Sequence, residues 1–513
     1  MSKYITINGF KGGQSIDTYD SLQKQSFQKS NNLDVFVDSN VLTPLKQTLM
    51  AVTLPAIAGQ SDIIVSNSLL ASNGKQYFVG SATVSSAMNF TIWSTGTLES
   101  GPTWTLEYSV ATGGPTTLLE EYKSALYFGW STNLDRSTLS GVFTRANIGT
   151  VTTRIEYLRN HRGLGLLFFA HNSGHTIGKY DNTTFTASAL VLDADDTVVG
   201  IEEMGQWVVI GVRGTGSRRD RFLIWDGSAT TVADVIGLNS IGLQGFKIVN
   251  GVITYISLTS ASAANYISLA TVTLGGKPEI IKEQQVTLTS GANSIIADAF
   301  SSFNDLFLYG LNGVAYSDLD LGIFAYGTPK STISKYHTLW RLVSTGVLTA
   351  ISIRSIKHNG TTMVVIWTSG SNGSGTQHID AFGGNLTVAV PTGTYESNIF
   401  PLNDGLPGKI KRIVINHKAI PTSTGFTVQI KQYGNYPWGT TVPSADSYQT
   451  LFTPEGNSAS SGMTQSTNNA MITEIAGNEL FKESRFAQIK ILFDEVATTL
   501  APSIVFPLLI ETI

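Results

Sequence analysis

The sequence contains no cysteine among its 513 residues, and it is poor in charge of either sign. Without cysteine there can be no disulfide, no thiolate metal ligand and no cysteine nucleophile. Lys and Arg number 33 against 37 Asp and Glu, giving a net charge of −4. Such a chain has no basic excess to neutralise a phosphate backbone, so sequence-specific nucleic acid is not expected as a partner.

Long apolar runs are also missing. No stretch reaches the roughly 18 apolar residues of a membrane-spanning helix, so no membrane span is expected. The first residues lack the apolar core of a signal peptide, and we expect synthesis in the cytoplasm without one. Charged residues make up only 14% of the chain, and 50 glycines are present. This composition is typical of a turn-rich, all-β protein with a neutral polar surface.

What the sequence does contain is a repeated hairpin signal. Seven times, a pair of turn-forming residues precedes a run of four to seven mostly apolar residues, and the pairs recur every 39 to 55 residues. The pairs are Asn73-Gly74, Lys123-Ser124, Arg162-Gly163, Gly205-Gln206, Asn250-Gly251, Asn304-Asp305 and Asn359-Gly360. Asn and Gly accept positive φ at little cost, which favours tight hairpins. A hairpin unit of this period predicts a four-stranded propeller blade, and seven blades predict a closed ring.

The ends of the chain do not carry the repeat. Residues 1–60 are predicted to be an N-terminal extended arm whose last strands close the ring, since propellers often join their first and last blades in this way. Residues 61–388 are predicted to form the seven-bladed β-propeller. Residues 389–513, with strand patterns at both ends of a long polar loop, are predicted to form a C-terminal β-sandwich. Outside these strands, residues 331–347 and the short segment Glu120-Glu121-Tyr122 are the candidate helices.

The densest positive charge lies in a loop at Arg218, Arg219 and Arg221, with Asp220 between them. Because Arg pairs bidentately with carboxylates, the loop is a candidate contact with a partner subunit. Partial neutralisation by Asp220 is the alternative. Phe10 in the arm and Trp438 in the C-terminal segment complete the predicted set of partner-contact residues.

Three further motifs have a functional and an ordinary interpretation. His171 and His175, an H-x3-H pair, would bind zinc on a helix, but Gly174 favours a loop. The carboxylates of residues 193–196 (DADD) would suit calcium, yet the spacing of a calcium loop is absent, and a solvated turn is favoured. Residues 317–324 (SDLDLGIF) resemble the Asp-box turn of sialidase-like propellers. That segment is interpreted as a structural turn, and no metal and no cofactor is expected.

The tryptophans fall mostly in strand patterns, which favours core packing over a sugar-stacking platform. No Ser/His/Asp order, carboxylate pair or nucleotide-binding motif stands out. We therefore expect a protein that is not an enzyme, although active sites assembled from distant loops leave no such motif.

Both ends of the chain resemble phage virion proteins. Residues 5–13 (ITINGFKGG) followed by residues 30–35 (SNNLDV) resemble the glycine-rich arm and strand that precede a propeller in those proteins. Residues 485–491 (RFAQIKI) and the ending 510–512 (IET) resemble their closing sandwich domain. The resemblance implies a tail or neck component of a tailed phage, of the ring, nozzle or tail-tube type, present in several copies.

These observations together predict a structural component of a tailed-phage virion that acts as a rigid scaffold in a symmetric oligomer. Its expected partners are other copies of itself and other tail or neck proteins, and its expected location is the virion. The alternative is a receptor- or glycan-binding propeller of the phage tail, with or without glycan cleavage. A cellular scaffold propeller is disfavoured because no WD dipeptide recurs.

Overall fold

The computed structural model of the protein is all-β over the residues it describes. These residues are 3–7, 13–14, 26–35, 40–44, 49–96, 98, 102–111, 118–216, 218–238, 242–261, 264–286, 296–303, 305–314, 322–327, 332–337, 350–358, 362–369, 376–383, 393–418, 425–434, 448–451, 472–476, 481–494 and 503–513. Within them the only helix is a short 3-10 turn at Asn403–Gly405. No helix in this part of the chain is long and apolar enough to cross a membrane.

The strands follow one another along the chain in four groups. The N-terminal group is β1 (Lys3–Ile7), β2 (Gly13–Gln14), β3 (Ser26–Asn31), β4 (Leu33–Asp34), β5 (Val41–Pro44) and β6 (Leu49–Val52). The second group is β7 (Gln60–Leu70), β8 (Gln76–Val84), β9 (Ala87–Thr95), β10 (Thr105–Ala111), β11 (Leu118–Tyr122), β12 (Ala125–Trp130), β13 (Asn133–Thr138), β14 (Ala146–Thr150), β15 (Tyr157–His161), β16 (Leu166–His171), β17 (Thr176–Tyr180), β18 (Phe185–Val191), β19 (Asp196–Met204), β20 (Trp207–Gly214), β21 (Arg221–Trp225), β22 (Asp234–Gly237), β23 (Leu243–Val249), β24 (Val252–Ala261), β25 (Ala264–Val272) and β26 (Glu279–Val286). The third is β27 (Ile296–Phe303), β28 (Leu306–Val314), β29 (Gly322–Gly327), β30 (Thr332–His337), β31 (Ala350–His358), β32 (Thr362–Ser369) and β33 (Thr376–Gly383). The last is β34 (Gly393–Ser397), β35 (Phe400–Pro401), β36 (Ile410–His417), β37 (Gly425–Tyr433), β38 (Gln449–Thr450), β39 (Ile472–Ala476), β40 (Phe486–Asp494) and β41 (Ile504–Thr512).

Each of the seven predicted apolar runs forms a strand, and each is the second strand of its hairpin: β8, β12, β16, β20, β24, β28 and β32. The turn residues explain why. Asn250 and Gly251 have φ of 51° and 73°, the left-handed conformation that a two-residue hairpin requires. Val249 and Val252 on either side face each other across the ladder.

Residues 50–322 and 345–386 form one of two compact units, here called the repeat unit. Five consecutive antiparallel sheets of four strands (β7–β10, β11–β14, β15–β18, β19–β22 and β23–β26) run along the chain in sequence order. The hairpin β27–β28 follows, and then β31, β32 and β33, which pair in that order. Strand β6, from the N-terminal part of the chain, lies beside β33.

The first strands of these sheets contact each other in a cycle. The contacts run from β7 to β11, β15, β19, β23, β27 and β31, and β31 contacts β7 again. Apolar side chains fill the space between consecutive sheets rather than one central core. Between the last sheet and the first, Phe78 and Trp93 pack in one cluster with Val364, Ile379 and, from β6, Val52.

Residues 1–49, 323–344 and 387–513 form the second compact unit, here called the terminal unit. One sheet has the order β39-β36-β41-β5-β4, with β1 also paired to β41. A second has the order β38-β37-β40-β34-β3-β30-β29. Alternate residues of both sheets, such as Ile413 and Ile415 of β36 and Ile489 and Ile491 of β40, belong to one buried core. This alternation is the period of two expected of strands with one buried face.

The division of the chain differs from the predicted one in two respects. Residues 323–344, predicted to lie within the propeller, belong to the terminal unit. The N-terminal strands are not a separate arm, because β1 pairs with β41 from Lys3↔Thr512 to Ile7↔Leu508, and β3 pairs with β34. Only β6 joins the repeat unit.

In the described residues, neither candidate helix is helical. Residues 120–122 lie in β11, where cross-strand pairing with β12 satisfies the backbone. Residues 332–337 form β30, and residues 338–347 lie outside the described part of the chain.

Candidate functional site

The predicted arginine loop meets the predicted acidic turn. Arg218 Nη1 lies 2.5 Å from Asp193 Oδ2, and this bond lowers the pKa of Asp193. Arg221 Nη2 lies 2.7 and 2.6 Å from the two carboxylate oxygens of Asp196, which is 2% exposed. These carboxylates are therefore neutralised by arginine, and two of the three arginines are engaged within the chain.

Asp220, the expected neutralising group in the loop, has another role. It is fully buried and accepts hydrogen bonds from the backbone N–H groups of Gly214 (3.1 Å) and Leu243. Arg219 is exposed and forms no ion pair with a described carboxylate. Phe10 and Trp438, the other predicted contact residues, lie outside the described residues, as do residues 317–321 of the Asp-box-like segment.

The histidine pair belongs to a hairpin. His171 ends β16, is 5% exposed and hydrogen-bonds through Nε2 to the carbonyl of Ala187 at 2.8 Å. The nearby Asp181 accepts hydrogen bonds from the N–H groups of Thr183 and Thr184, which lower its pKa to about 2. No group of three or more His, Asp or Glu with metal-holding geometry occurs among the described residues.

Three tryptophans are fully buried, as the preference for core packing predicts. Trp93 donates its indole N–H to Gln60 at 3.0 Å, and Trp367 donates to Asp380 at 2.8 Å. Trp225 donates to the carbonyl of Ala229 at 2.7 Å. Each of these rings packs in the core and is inaccessible to a sugar.

A group of charged side chains centred on the buried Glu202 was not singled out from the sequence. It is formed by five residues on five different first strands, here called the first-strand cluster: Glu120 on β11, Arg159 on β15, Glu202 on β19, Lys247 on β23 and Lys357 on β31. Glu202, 5% exposed, is its centre. Arg159 Nη2 lies 2.7 Å from Glu202 Oε2, and Lys247 donates to Glu202 Oε1. Glu120 accepts a hydrogen bond from the backbone N–H of Asn160 at 3.4 Å.

Electrostatics holds this cluster in its charged form. Burial opposes ionisation of Glu202, but Arg159 and Lys247 outweigh it, so its pKa lies below the ordinary value. The carboxylate of Glu202 raises the pKa of Arg159 in turn. Burial lowers the pKa of Lys357 to about 8, although Glu120 acts in the opposite direction. The cluster thus sets three cations against two anions.

Two further carboxylates tie adjacent sheets together at the same end of the first strands. Glu121 of β11 accepts a hydrogen bond from the N–H of Ser72 at 2.8 Å, in the turn after β7. Glu203 of β19 accepts from the N–H groups of Arg162 (3.1 Å) and Gly163 (2.8 Å), in the turn after β15. In both cases a side chain from one sheet binds the hairpin turn of the preceding sheet.

A signal for the cluster exists in the sequence. Glu120, Arg159, Glu202 and Lys247 each occupy the third position from the end of their first strand. Equivalently, each stands three residues before the turn pair of its repeat. Alignment of the repeats on their turns would have shown charged residues recurring at one structural position.

Comparison with known proteins gives similarity in structure only. No family model matches the chain, and no curated protein matches it in sequence. The WD40 β-propeller domain of Doa1 is 11% identical with a TM-score of 0.40, covering 66% of this chain and 97% of that chain. The Dos1 propeller is 9% identical with a TM-score of 0.41, covering 71% and 95%. The Pan2 WD40 domain of Neurospora crassa is 9% identical with a TM-score of 0.42, covering 69% and 99%. All three are β-propeller domains.

Proposed function

We propose that the repeat unit is a closed seven-bladed β-propeller. The cycle of contacts among the first strands supports this, with β31 returning to β7. The position of β6 beside β33 supports closure of the ring by an N-terminal strand, a common device in propellers. In such a ring the first-strand cluster lies around the central channel.

We further propose that the terminal unit is a β-sandwich. Its two sheets share one buried core, with alternating inward residues on each. Because β1 and β3 pair with β41 and β34, the sandwich joins the two ends of the chain. Both ends would be held in register by this pairing.

We propose that the protein is a non-enzymatic structural component of a tailed-phage virion, in the tail or neck, and acts as a rigid scaffold in a symmetric oligomer with copies of itself and neighbouring virion proteins. The observation that carries the scaffold role is the first-strand cluster, whose charges bond to each other across sheets. The virion context is supported by the resemblance of residues 5–13, 30–35 and 485–491 to phage virion proteins.

Native mass spectrometry of the purified full-length protein tests the oligomer. We expect masses at a fixed multiple of 55.0 kDa. Arg219→Glu should weaken the assembly, because Arg219 is the exposed member of the arginine loop, whereas the exposed Lys277→Glu should not. A monomer at micromolar concentration would contradict the scaffold role.

An engineered disulfide tests whether the ring is closed. Ser355 of β31 donates to Asn67 of β7 at 2.9 Å, across the proposed closure. In this cysteine-free chain, Asn67→Cys with Ser355→Cys should oxidise to one intramolecular disulfide. Asn67→Cys with Ser228→Cys, in the loop between β21 and β22, should not. Failure of the first pair to oxidise in folded protein would argue against closure.

The alternative of a glycan-binding tail propeller requires exposed aromatic rings. The three tryptophans that are fully buried, Trp93, Trp225 and Trp367, are excluded from that role. Binding on a broad glycan array would favour the alternative over the scaffold.

A further inference from the structure

A cavity of about 270 Å³ lies in the repeat unit between its last and first sheets. Leu69 and Leu70 at the end of β7, Gln76 at the start of β8, Lys357 and His358 at the end of β31, and Val364 of β32 line it. Its volume is close to the lower limit of about 300 Å³ for small-molecule sites. The lining therefore combines one cation, one neutral polar group and an apolar wall.

One polar group of the lining, the side-chain oxygen of Gln76, lacks a partner among the described residues. Gln76 is 3% exposed, yet its Oε1 accepts no hydrogen bond from any of them. His358 follows Lys357 in β31, so its ring lies on the opposite face of the strand, stacked on Phe303 of β27, and does not enter the cavity. Buried polar atoms without partners are uncommon, because each costs about 1–3 kcal/mol when left unpaired. Such an atom at a cavity wall points to a missing ligand.

Lys357 supplies the charge. It forms no ion pair with any described carboxylate, whereas Arg159 and Lys247 are both bonded to Glu202. The first-strand cluster contains three cations and two anions: Glu202 is bonded to Arg159 and Lys247, and Glu120 raises the pKa of Lys357 without forming an ion pair with it. A carboxylate in the cavity would complete this balance.

His358 is held in place beside it. Its ring stacks on Phe303 of β27, with the ring centroids 3.3 Å apart. Burial lowers the pKa of His358 to about 4, so the imidazole is neutral near pH 7 and adds no second charge. The site therefore offers the positive charge of Lys357 and one neutral acceptor, Gln76 Oε1.

We propose that this cavity binds a small organic monocarboxylate that carries a hydrogen-bond donor at its other end. The carboxylate accepts from the Lys357 ammonium. The donor reaches Gln76 Oε1, and the body between them packs on Leu70 and Val364. The ligand and the site are independent of whether the chain belongs to a virion.

The probe is 4-hydroxybenzoate, which has a carboxylate and a phenolic O–H at opposite ends of an apolar ring. Isothermal titration calorimetry with the full-length protein at pH 7 should show saturable binding at millimolar or lower concentration. Methyl 4-hydroxybenzoate, which lacks the charge, and inorganic phosphate, which lacks the apolar body, should each bind roughly tenfold more weakly or not at all.

Variants assign the contacts. Lys357→Met should weaken binding of 4-hydroxybenzoate at least roughly tenfold, and the exposed Lys277→Met should leave it unchanged. Gln76→Leu should reduce affinity for 4-hydroxybenzoate to that for benzoate while leaving benzoate binding unaltered. This last comparison isolates the donor contact, because a general disturbance of the cavity would weaken both ligands.

Three results would overturn the proposal. They are no saturable binding of 4-hydroxybenzoate, equal binding of phosphate, and equal weakening by Lys277→Met and Lys357→Met. If a cavity variant does not fold, saturation-transfer NMR on the unmodified protein compares the acid with its methyl ester. Equal transfer to both would then contradict the charge contact.

Discussion

Gln377 and Val65 join the last sheet of the repeat unit to the first through two hydrogen bonds. The N–H of Val65 donates to Gln377 Oε1 at 2.6 Å, and Gln377 Nε2 donates to the carbonyl of Val65 at 2.5 Å. The two residues are 312 positions apart and both bonds are buried. A side-chain amide here satisfies a backbone donor and acceptor of another sheet, as a neighbouring strand would.

Gln377→Leu should therefore lower the free energy of unfolding. The substitution keeps most of the volume but leaves the N–H and carbonyl of Val65 buried without partners, a loss of about 2–4 kcal/mol. Denaturant unfolding of both proteins measures the difference. As a control, Gln244→Leu removes a local bond to the carbonyl of Gly242 at a partly buried site and should cost less than about 1 kcal/mol. Equal effects would show that the hydrogen bonds between the last and first sheets contribute no more to stability than a local one.

Glu202→Gln should strongly destabilise the repeat unit. It removes the anion shared by Arg159 and Lys247 and leaves these two half-buried cations uncompensated, for an expected loss of about 2–3 kcal/mol. Glu156→Gln, at the exposed Arg154–Glu156 pair with 3.9 Å between the charged atoms, should change stability by less than about 1 kcal/mol. The free energy of unfolding in guanidinium chloride distinguishes the two. A small effect at Glu202 would mean that the ion pairs of the first-strand cluster contribute little to stability.

Lys357 should make stability depend on alkaline pH. Its pKa is about 8 in the folded protein and near 10.5 when unfolded, so between these values the unfolded chain binds more protons. The contribution of Lys357 to the free energy of unfolding therefore rises with pH across this range. Lys357→Met removes the cost of burying the charge and should stabilise the protein by about 1–2 kcal/mol at pH 7.

The stability difference between Lys357→Met and the natural protein should shrink as pH increases from about 8 to about 10.5. Urea unfolding at several pH values follows it. A difference that stays constant with pH would show that the folded protein does not shift this titration.

The hairpin turns provide a test of backbone conformation alone. Lys123 and Ser124 have φ of 45° and 57°, a region that costs non-glycine residues energy. Ser124→Gly should stabilise by about 0.5–1 kcal/mol. Gly251→Ala should destabilise by a similar amount of about 1 kcal/mol, since its φ is 73° and no atom lies within 4 Å of the added methyl. Thermal unfolding measures both, and two changes of the same sign would contradict the turn geometry.

The sequence predicted the local part of this fold well, for a physical reason. A turn such as Asn250-Gly251 specifies its own hairpin through φ, so the strands that follow all seven turns were found. Pairing between distant segments has no such local signal. Nothing in residues 3–7 alone indicates that β1 lies beside β41, and nothing around Gln377 indicates Val65.

Prediction of the site was weaker for the same reason. The arginine loop was recognised because its charges are adjacent in sequence, but its partners Asp193 and Asp196 lie about 25 residues away. The first-strand cluster collects one residue from each of five segments. Glu120 was assigned to a candidate helix, and the three-residue offset to the next turn was the signal that was overlooked.

Quantitative mass spectrometry of phage particles, purified from cells that express the gene for this chain, is the most direct test of the proposed structural role in a tailed-phage particle. We expect peptides of the protein in every particle preparation. Measured against the major tail proteins, the protein should be present at a fixed whole number of copies above one. Absence of these peptides from intact particles, or a copy number that varies between preparations and falls on washing, would contradict the proposed role.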